Sequence, residues 1–355
     1  THAAQLQPSA GDYSVYQKGF LLGLQKDYRG KISAMDRLLR DYPESQYVDD
    51  ALFEKGRSYV LLENSSSAAQ AFEKLIREFP QSSLARKAGI QLGLLYYNDN
   101  QPEKALTAYK QVISNYPGSE EAKIALQDLK SVYIDLNDIN AYASYVNSIG
   151  GNIRLEVGEQ DSLTYIAAEK LFMRGDNDGA RRSLVNYLQT FPEGAFSSNA
   201  NFYLGSIAFA KKEFDEAVQR FKSVIASGDT KFLEESVART AEIEYLVNDY
   251  PAALESFKRL QIVAENPENK QAARLGIMRC ALQTGQQKDA LLAADELLKE
   301  PKLSPELEAE ARYVRAKAYI DQKQANKALA DLKELSKDTR TVHGAEAKYL
   351  LAQYF

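Results

Sequence analysis

Residues 49–80 read DDALFEKGRSYVLLENSSSAAQAFEKLIREFP. From Ala68 to Phe79 the apolar residues recur every three or four positions, which is the pattern of one buried helix face. An earlier apolar run from Ala51 to Leu62 predicts a first helix, and the polar stretch that begins at Asn64 supplies turn and cap residues. Pro80 ends the second helix, because proline lacks the N–H and disfavours helix in the preceding residue. The stretch therefore predicts two antiparallel helices.

This unit recurs along the chain. Pro43, Pro80 and Pro117 stand 37 residues apart, and each follows an aromatic residue and precedes a serine by two positions. Alanines near the start of each second helix recur at almost the same interval: Ala68, Ala105, Ala180, Ala217, Ala253, Ala290 and Ala328. A fixed period in this range indicates a solenoid of stacked helix pairs. We expect an all-α fold, an α-α superhelix of about nine helix pairs with the first helix of a tenth.

Small residues inside the first helices need a packing reason. Gly56 lies within a predicted helix, where glycine costs about 1 kcal/mol relative to alanine. Gly19, Gly93 and Gly205 recur in the same register. We interpret them as points of close approach, where a missing side chain lets a neighbouring helix come near.

These residues resemble the tetratricopeptide repeat family. The shared pattern is a glycine with a tyrosine three positions later, an alanine with an aromatic four positions later, and a closing proline. It stands here as Gly56, Tyr59, Ala68, Phe72 and Pro80, and again in the next unit. The resemblance covers residues 13–355 and implies a right-handed superhelix that binds a protein or peptide partner.

Two departures from the common family pattern refine this resemblance. The chain has no tryptophan, and its period is 37 where the commonest form has 34. The longer period and the Tyr/Phe-Pro-x-Ser helix end are similar to tetratricopeptide proteins of the bacterial envelope. The tyrosine-rich composition resembles long multi-repeat proteins of Bacteroidetes, of which we expect this chain to be a fragment. The resemblance thus favours a periplasmic or envelope location, with the cytoplasm as the alternative.

The domain organisation follows from the register of the repeats. We predict a tail over 1–12, repeat units 1–4 over 13–152, and units 5–9 with the first helix of a tenth over 153–355, continuous with the preceding array. The segment 147–161 carries Gly150, Gly151 and Gly158, which permit unusual backbone angles. It is interpreted as an irregular connection within one solenoid, and a hinge between two sub-arrays is the alternative.

Composition argues against several other functions. The net charge is −5 and there is no basic block, which argues against a nucleic-acid partner. No stretch approaches 18 apolar residues, so no membrane-spanning segment is predicted. The two histidines, His2 in the tail and His343 in a predicted loop, have no ligand partner at metal-binding spacing.

The sequence also lacks the common catalytic motifs. No serine–histidine–acid set and no phosphate-binding glycine loop is present. The acidic residues are expected on solvated helix faces beside lysine and arginine. We therefore predict a protein that is not an enzyme and has no catalytic, metal or cofactor residues.

The family resemblance implies that first helices line a concave groove, and it selects the candidate partner-binding residues. One row carries aromatic side chains, a second carries charged ones, and a third carries aromatic ones again. In that order they are Tyr16, Phe53, Tyr165, Phe202 and Tyr313, then Arg57, Glu169, Arg279 and Lys317, then Tyr97 and Phe209. Aromatic and arginine side chains are the usual anchors of interfaces.

Two hypotheses of function follow. The first is a scaffold that presents this groove to a protein or peptide partner in a bacterial envelope complex. The second is a structural spacer arm of a larger envelope assembly, which contacts its neighbours by its ends and convex face. In the second case the groove aromatics pack the first helices against one another.

Overall fold

The computed structural model describes residues 11–150, 154–228 and 231–354, and all regular secondary structure in these ranges is α-helical. The all-α prediction is confirmed. In chain order the helices are α1 Gly11–Leu24, α2 Tyr28–Asp41, α3 Val48–Leu61, α4 Ser65–Glu78, α5 Ser83–Asn98, α6 Pro102–Asn115, α7 Glu120–Asp135, α8 Ile139–Ile149, α9 Val157–Met173, α10 Asn177–Thr190, α11 Ser197–Ala210, α12 Phe214–Ala226, α13 Leu233–Leu246, α14 Tyr250–Val263, α15 Pro267–Gln283, α16 Gln287–Leu297, α17 Pro305–Asp321, α18 Ala325–Leu335 and α19 Val342–Tyr354.

The chain divides into two compact units, the first ending at Ala167 and the second beginning at Ala168, within α9. In the first unit, each helix from α1 to α8 packs against the next one in the chain. In the second unit the same holds from α10 to α19. Odd-numbered helices are the first members of the predicted pairs. Several successive first helices also touch each other, such as α3 with α5 and α13 with α15, and so form one layer.

The recurring glycines are explained by the packing of a large side chain from the second helix of the same pair, which is a ring at Gly56, Gly93 and Gly205 and Met35 at Gly19. A Cβ built on Gly56 would lie 2.5 Å from the ring of Phe72, and one on Gly93 would lie 2.4 Å from the ring of Tyr109. The predicted close approach is confirmed, and the approaching group is a side chain of the pair's own second helix. All seven alanines of the second-helix series are fully buried.

Side chains cap both helices of a pair. Asp27, Asn64, Asp176 and Asp249 each accept a hydrogen bond from a backbone N–H in the first turn of a second helix. Ser82, two residues after Pro80, does the same for the first helix α5. Ser119, two residues after Pro117, likewise caps α7, whereas Ser45 after Pro43 does not cap α3. Each such cap contributes about 1 kcal/mol.

A further regularity lies in the turn between the two helices of each pair. One residue there has a positive φ of 54° to 83° in every pair. These residues are Lys26, Glu63, Asn100, Asn137, Gly175, Lys212, Asn248, Gly285 and Lys323. A left-handed residue reverses the chain in a short space, and it costs about 1–2 kcal/mol when it carries a side chain.

Three acidic residues of the described ranges, Asp161, Glu244 and Asp331, are buried and so depart from the expected solvated position. Asp331 on α18 is buried, and it accepts hydrogen bonds from Arg312 at 3.1 Å and from Arg315 at 2.7 Å. Arg315 also donates to Asp295 on α16 at 2.9 Å. The prediction that acidic residues lie on exposed faces is wrong here, because paired charge is tolerated inside the second-helix layer.

The regions around the predicted boundaries differ in detail from the sequence reading. Helix α1 begins at Gly11, and residues 1–10 of the predicted tail, His2 included, lie outside the described residues. In the segment 147–161, Gly150 has a φ of 80°, α9 starts at Val157, and 151–153 lie outside the described residues. The loop prediction for His343 is wrong, because α19 begins at Val342 and the His343 ring stacks on Tyr313 with centroids 4.8 Å apart.

Candidate functional site

The first predicted row of groove aromatics packs against neighbouring elements in the first unit. Tyr16 stacks on Tyr47, with ring centroids 5.1 Å apart and an interplanar angle of 14°. Burial, together with the nearby charge of Asp50, raises the pKa of Tyr16 to about 12. Phe53 packs on Phe72 at 5.9 Å, and Tyr165 is only 2% exposed. These rings serve packing to a large extent.

In the second unit, the aromatic side chains of this row also pack against neighbouring elements. Phe202 stacks on Phe232 with centroids 4.1 Å apart and an interplanar angle of 12°. Burial raises the pKa of Tyr313, and this ring packs on His343. The row thus fills the space between one first helix and the next element.

Other predicted groove residues are held by polar contacts. The hydroxyl of Tyr97 donates to Asp135, and Glu169 accepts a hydrogen bond from Tyr203 at 3.0 Å. Phe209 lies under a guanidinium, with Cζ of Arg239 5.1 Å from its ring centroid. These side chains are partly exposed, with one face in a contact.

The three predicted cationic anchors differ in availability. The side chain of Arg57 is 55% exposed and meets Glu54 at 3.3 Å. Lys317 is exposed, and its Nζ lies 5.9 Å from the ring centroid of Tyr313. Arg279 donates from Nε and from a terminal nitrogen to the two carboxylate oxygens of Glu310, at 2.7 and 2.8 Å. These hydrogen bonds hold the pKa of Arg279 above its usual range.

A cavity of about 310 Å³ opens between the first helices α13 and α15 in the second unit. Its floor is apolar and includes side chains from the second helix α14. The floor residues are Ala238, Phe257, Leu260, Ala272, Leu275 and Gly276. Its rim is polar and is formed by Glu235, Arg239, Glu242, Tyr245, Asn269 and Arg279. The volume is at the lower end of the range for ligand pockets, about 300–1,000 Å³.

The cavity lies at one of the positions where the aromatic row is interrupted; Ile90 and Leu275 are others. Ala238 follows Phe202 by 36 residues, the interval that also separates the turn residues Lys212 and Asn248. A methyl group therefore takes the place that a ring fills in the preceding pair. The space that this ring would occupy is left open above Phe257 and Leu260.

The rim is built from ion pairs. Arg239 donates from Nε to Glu235 at 2.8 Å and from a terminal nitrogen to Glu242 at 2.9 Å. Its side chain and both of its carboxylate partners are between 40% and 46% exposed. An apolar floor with a few converging charged groups is the usual form of a binding site.

Of the eleven predicted groove residues, one lines this cavity: Arg279. The other lining residues were not among the predicted ones, and they include large side chains such as Phe257 and Tyr245. The available signal was the small residue Ala238, which stands where the preceding pairs carry Tyr165 and Phe202.

Comparison with known families agrees with this geometry. A tetratricopeptide repeat model matches residues 167–230, and a model described as an outer membrane lipoprotein matches residues 49–127. Residues 167–230 thus match the tetratricopeptide repeat family, and the helix pairs are of the kind that this family stacks. No curated protein matches its sequence.

Three solved structures resemble this chain at low identity. The P58(IPK) TPR domain is 16% identical, covering 97% of this chain and 99% of that chain, with a TM-score of 0.30. The TPR2AB domain–pHSP90 complex of yeast Sti1 is 13% identical, covering 77% and 99%, with a TM-score of 0.36. Naa15/Naa10 bound to HypK-THB is 16% identical, covering 96% and 55%, with a TM-score of 0.42.

Within 11–150, 154–228 and 231–354, no three histidine, cysteine, aspartate or glutamate side chains are grouped so as to hold a metal ion. None of the helices in this part of the chain combines the length and apolar character needed to cross a membrane. Cys280 is fully buried, and burial raises its pKa to about 11.

Proposed function

We propose that this protein is a non-enzymatic scaffold that binds a segment of a protein or peptide partner. The observation that carries the proposal is the cavity between α13 and α15, which has an apolar floor and a rim of ion pairs. A side chain of the partner would enter it as an anchor, and the neighbouring first helices would contact the rest of the segment. Anchors of this kind supply most of the binding free energy of an interface.

The predicted groove residues take secondary roles in this proposal. Arg57 and Lys317 are exposed and are candidate contacts along the first-helix layer of their own units. Tyr97, Glu169 and Phe209 would offer partly exposed faces beside it. Tyr16, Phe53, Tyr165, Phe202 and Tyr313 would chiefly support the helices, as their packing suggests.

We also propose a bacterial envelope location. The match of 49–127 to the outer membrane lipoprotein model supports it. The Tyr/Phe-Pro-x-Ser helix ends, first seen in Tyr42 and Pro43, point in the same direction. The division into repeats 1–4 over 13–152 and repeats 5–9 over 153–355 is part of the same proposal.

The test fills the cavity. Ala238→Phe puts back the ring that the preceding pair has in this register. We expect it to weaken the binding of peptides selected by the wild-type protein from a display library by about 30-fold, equivalent to about 2 kcal/mol. Leu292→Phe is the matched control, since Leu292 lies on α16 and is 64% exposed. Circular dichroism checks that both variants are folded.

A spacer arm is the second candidate, and the packed aromatic row favours it. Stacked pairs such as Phe202 with Phe232 make adjacent repeats rigid, which suits a protein that holds others apart. If the selected peptides bind the wild type and Ala238→Phe equally well, the cavity is not an anchor site and the spacer becomes the better proposal.

A further inference from the structure

The chemistry of the cavity indicates what kind of side chain enters it. We propose that the anchor is a basic side chain, arginine or lysine, presented by the partner segment. Its methylene stem would lie on the apolar floor and its cationic head would lie between Glu235 and Glu242. This inference rests on the scaffold function proposed above and adds a chemical class to it.

The charges on the rim are unbalanced. Arg279 is neutralised by Glu310, which takes both of its donated hydrogen bonds. Arg239 faces two carboxylates, those of Glu235 and Glu242. Glu310 stands outside the cavity lining but neutralises Arg279, so two cations meet three carboxylates in this ion-pair cluster. The cluster of rim residues and Glu310 therefore carries one uncompensated negative charge. A ligand with a single positive charge would neutralise it.

Hydrogen-bonding capacity points to the same class of ligand. Arg239 binds Oε1 of Glu235 and Oε2 of Glu242, so each carboxylate uses one oxygen for it. A carboxylate has about four acceptor sites in total, so both can accept further hydrogen bonds. An acidic ligand would instead have to draw Arg279 away from a bidentate partner. The rim thus favours a donor over an acceptor.

The floor suits the rest of a basic side chain. Phe257 and Tyr245 bring aromatic rings to the cavity, and Leu260 and Ala272 add aliphatic surface. Lysine and arginine bury their stems on such surface while the head stays polar. Aromatic faces also attract cations. A purely aliphatic anchor would fill the floor and leave the excess charge of the rim uncompensated.

The experiment uses pools of short degenerate peptides, each pool with arginine, lysine, leucine, phenylalanine or glutamate fixed at the central position. Binding to the full chain is measured by fluorescence anisotropy at low and high salt. We expect the arginine and lysine pools to bind about tenfold more tightly than the others, and this preference to shrink in high salt.

Three variants separate the possible outcomes. Glu235→Gln combined with Glu242→Gln should abolish the basic preference, and Glu255→Gln, on an exposed ion pair of α14 outside the cavity, should preserve it. If the leucine or phenylalanine pool binds best and depends on Ala238 but not on the two glutamates, the basic anchor is refuted and the scaffold function stands. If every pool binds Ala238→Phe as well as wild type, the scaffold function itself fails.

Discussion

Gly93→Ala tests whether the small residues of the first helices are required by ring packing. The new Cβ would lie 2.4 Å from Cε1 and 2.6 Å from Cζ of Tyr109. Ordinary contact requires at least 3.4 Å, so the ring would have to move by about 1 Å. Tyr109 is 1% exposed, so its ring has little freedom to move.

Two opposing contributions set the expected change in the free energy of unfolding of Gly93→Ala. Overpacking a core of this kind costs about 1–3 kcal/mol, and the pinned ring places this site near the upper value. Alanine in a helix regains about 1 kcal/mol relative to glycine. We therefore expect Gly93→Ala to lower the free energy of unfolding by about 2 kcal/mol. Gly158→Ala is the control, since nothing lies within 4 Å of its new Cβ, and it should be neutral or stabilising.

The assay combines urea denaturation with hydrogen exchange, because repeat arrays can unfold in parts. Faster exchange of the amides in α5 and α6 would locate the loss at this pair. A second substitution should rescue the variant. Two other pairs carry alanine at the position of Gly93 and leucine at the position of Tyr109. They are Ala168 with Leu184 and Ala316 with Leu332. Gly93→Ala with Tyr109→Leu should therefore recover stability. The packing explanation is refuted if Gly93→Ala is as stable as wild type.

Three further predictions concern charge, pH and turns. Asp331→Asn should lower the free energy of unfolding, measured by urea denaturation, by about 3 kcal/mol, because it leaves two arginines without their buried partner. Asp338→Asn, at an exposed ion pair, should change it by less than about 0.5 kcal/mol, and equal effects of the two variants would contradict this prediction. Burial raises the pKa of Tyr16 and Tyr96 to about 12 from 10, so their contribution to stability is complete below pH 10 and is lost as the pH rises towards 12. The absorbance of tyrosinate, undisturbed by tryptophan, should show a late-titrating fraction in the folded protein, and titration of all tyrosines near pH 10 would exclude it. Lys212→Gly should raise the melting temperature slightly, since it relieves a left-handed lysine with a φ of 61°; a lower melting temperature would show that this strain is negligible.

The helix pairs could be predicted because their determinants are chemical. A proline removes a hydrogen-bond donor, so Pro80 marks a helix end. A glycine leaves room for a ring, so Gly56 marks a contact between the two helices of a pair. Both signals recur in several repeats. The turn series could not be predicted in the same way. The residues of this series include lysine, glutamate, asparagine and glycine, as at Lys26 and Glu63. The backbone reversal requires a left-handed conformation, and many side chains can adopt it at moderate cost.

The candidate site was harder to predict, since the same side chain serves two roles. A tyrosine or phenylalanine on a first helix can bind a partner or support its neighbour, and sequence spacing does not distinguish the two. Tyr165 and Phe202 turned out to be packed. Contacts decide this, and contacts depend on the elements that follow each helix.

The cavity arises from linked departures from the repeat. On α13, Ala241 stands in the register where Gly56 and Gly93 accept a ring, and Phe257 of the paired helix lies instead against Gly276 of α15, where a Cβ would be 2.4 Å from the ring. Ala238 also lies on α13, at the position where Phe202 provides a ring in the preceding pair. The space is therefore kept open by two alanines and one glycine. We expect the cavity to close if a ring is placed at position 238 or a side chain at position 276. In a repeat protein, a few such substitutions by small residues can form a unique site on a repeated surface.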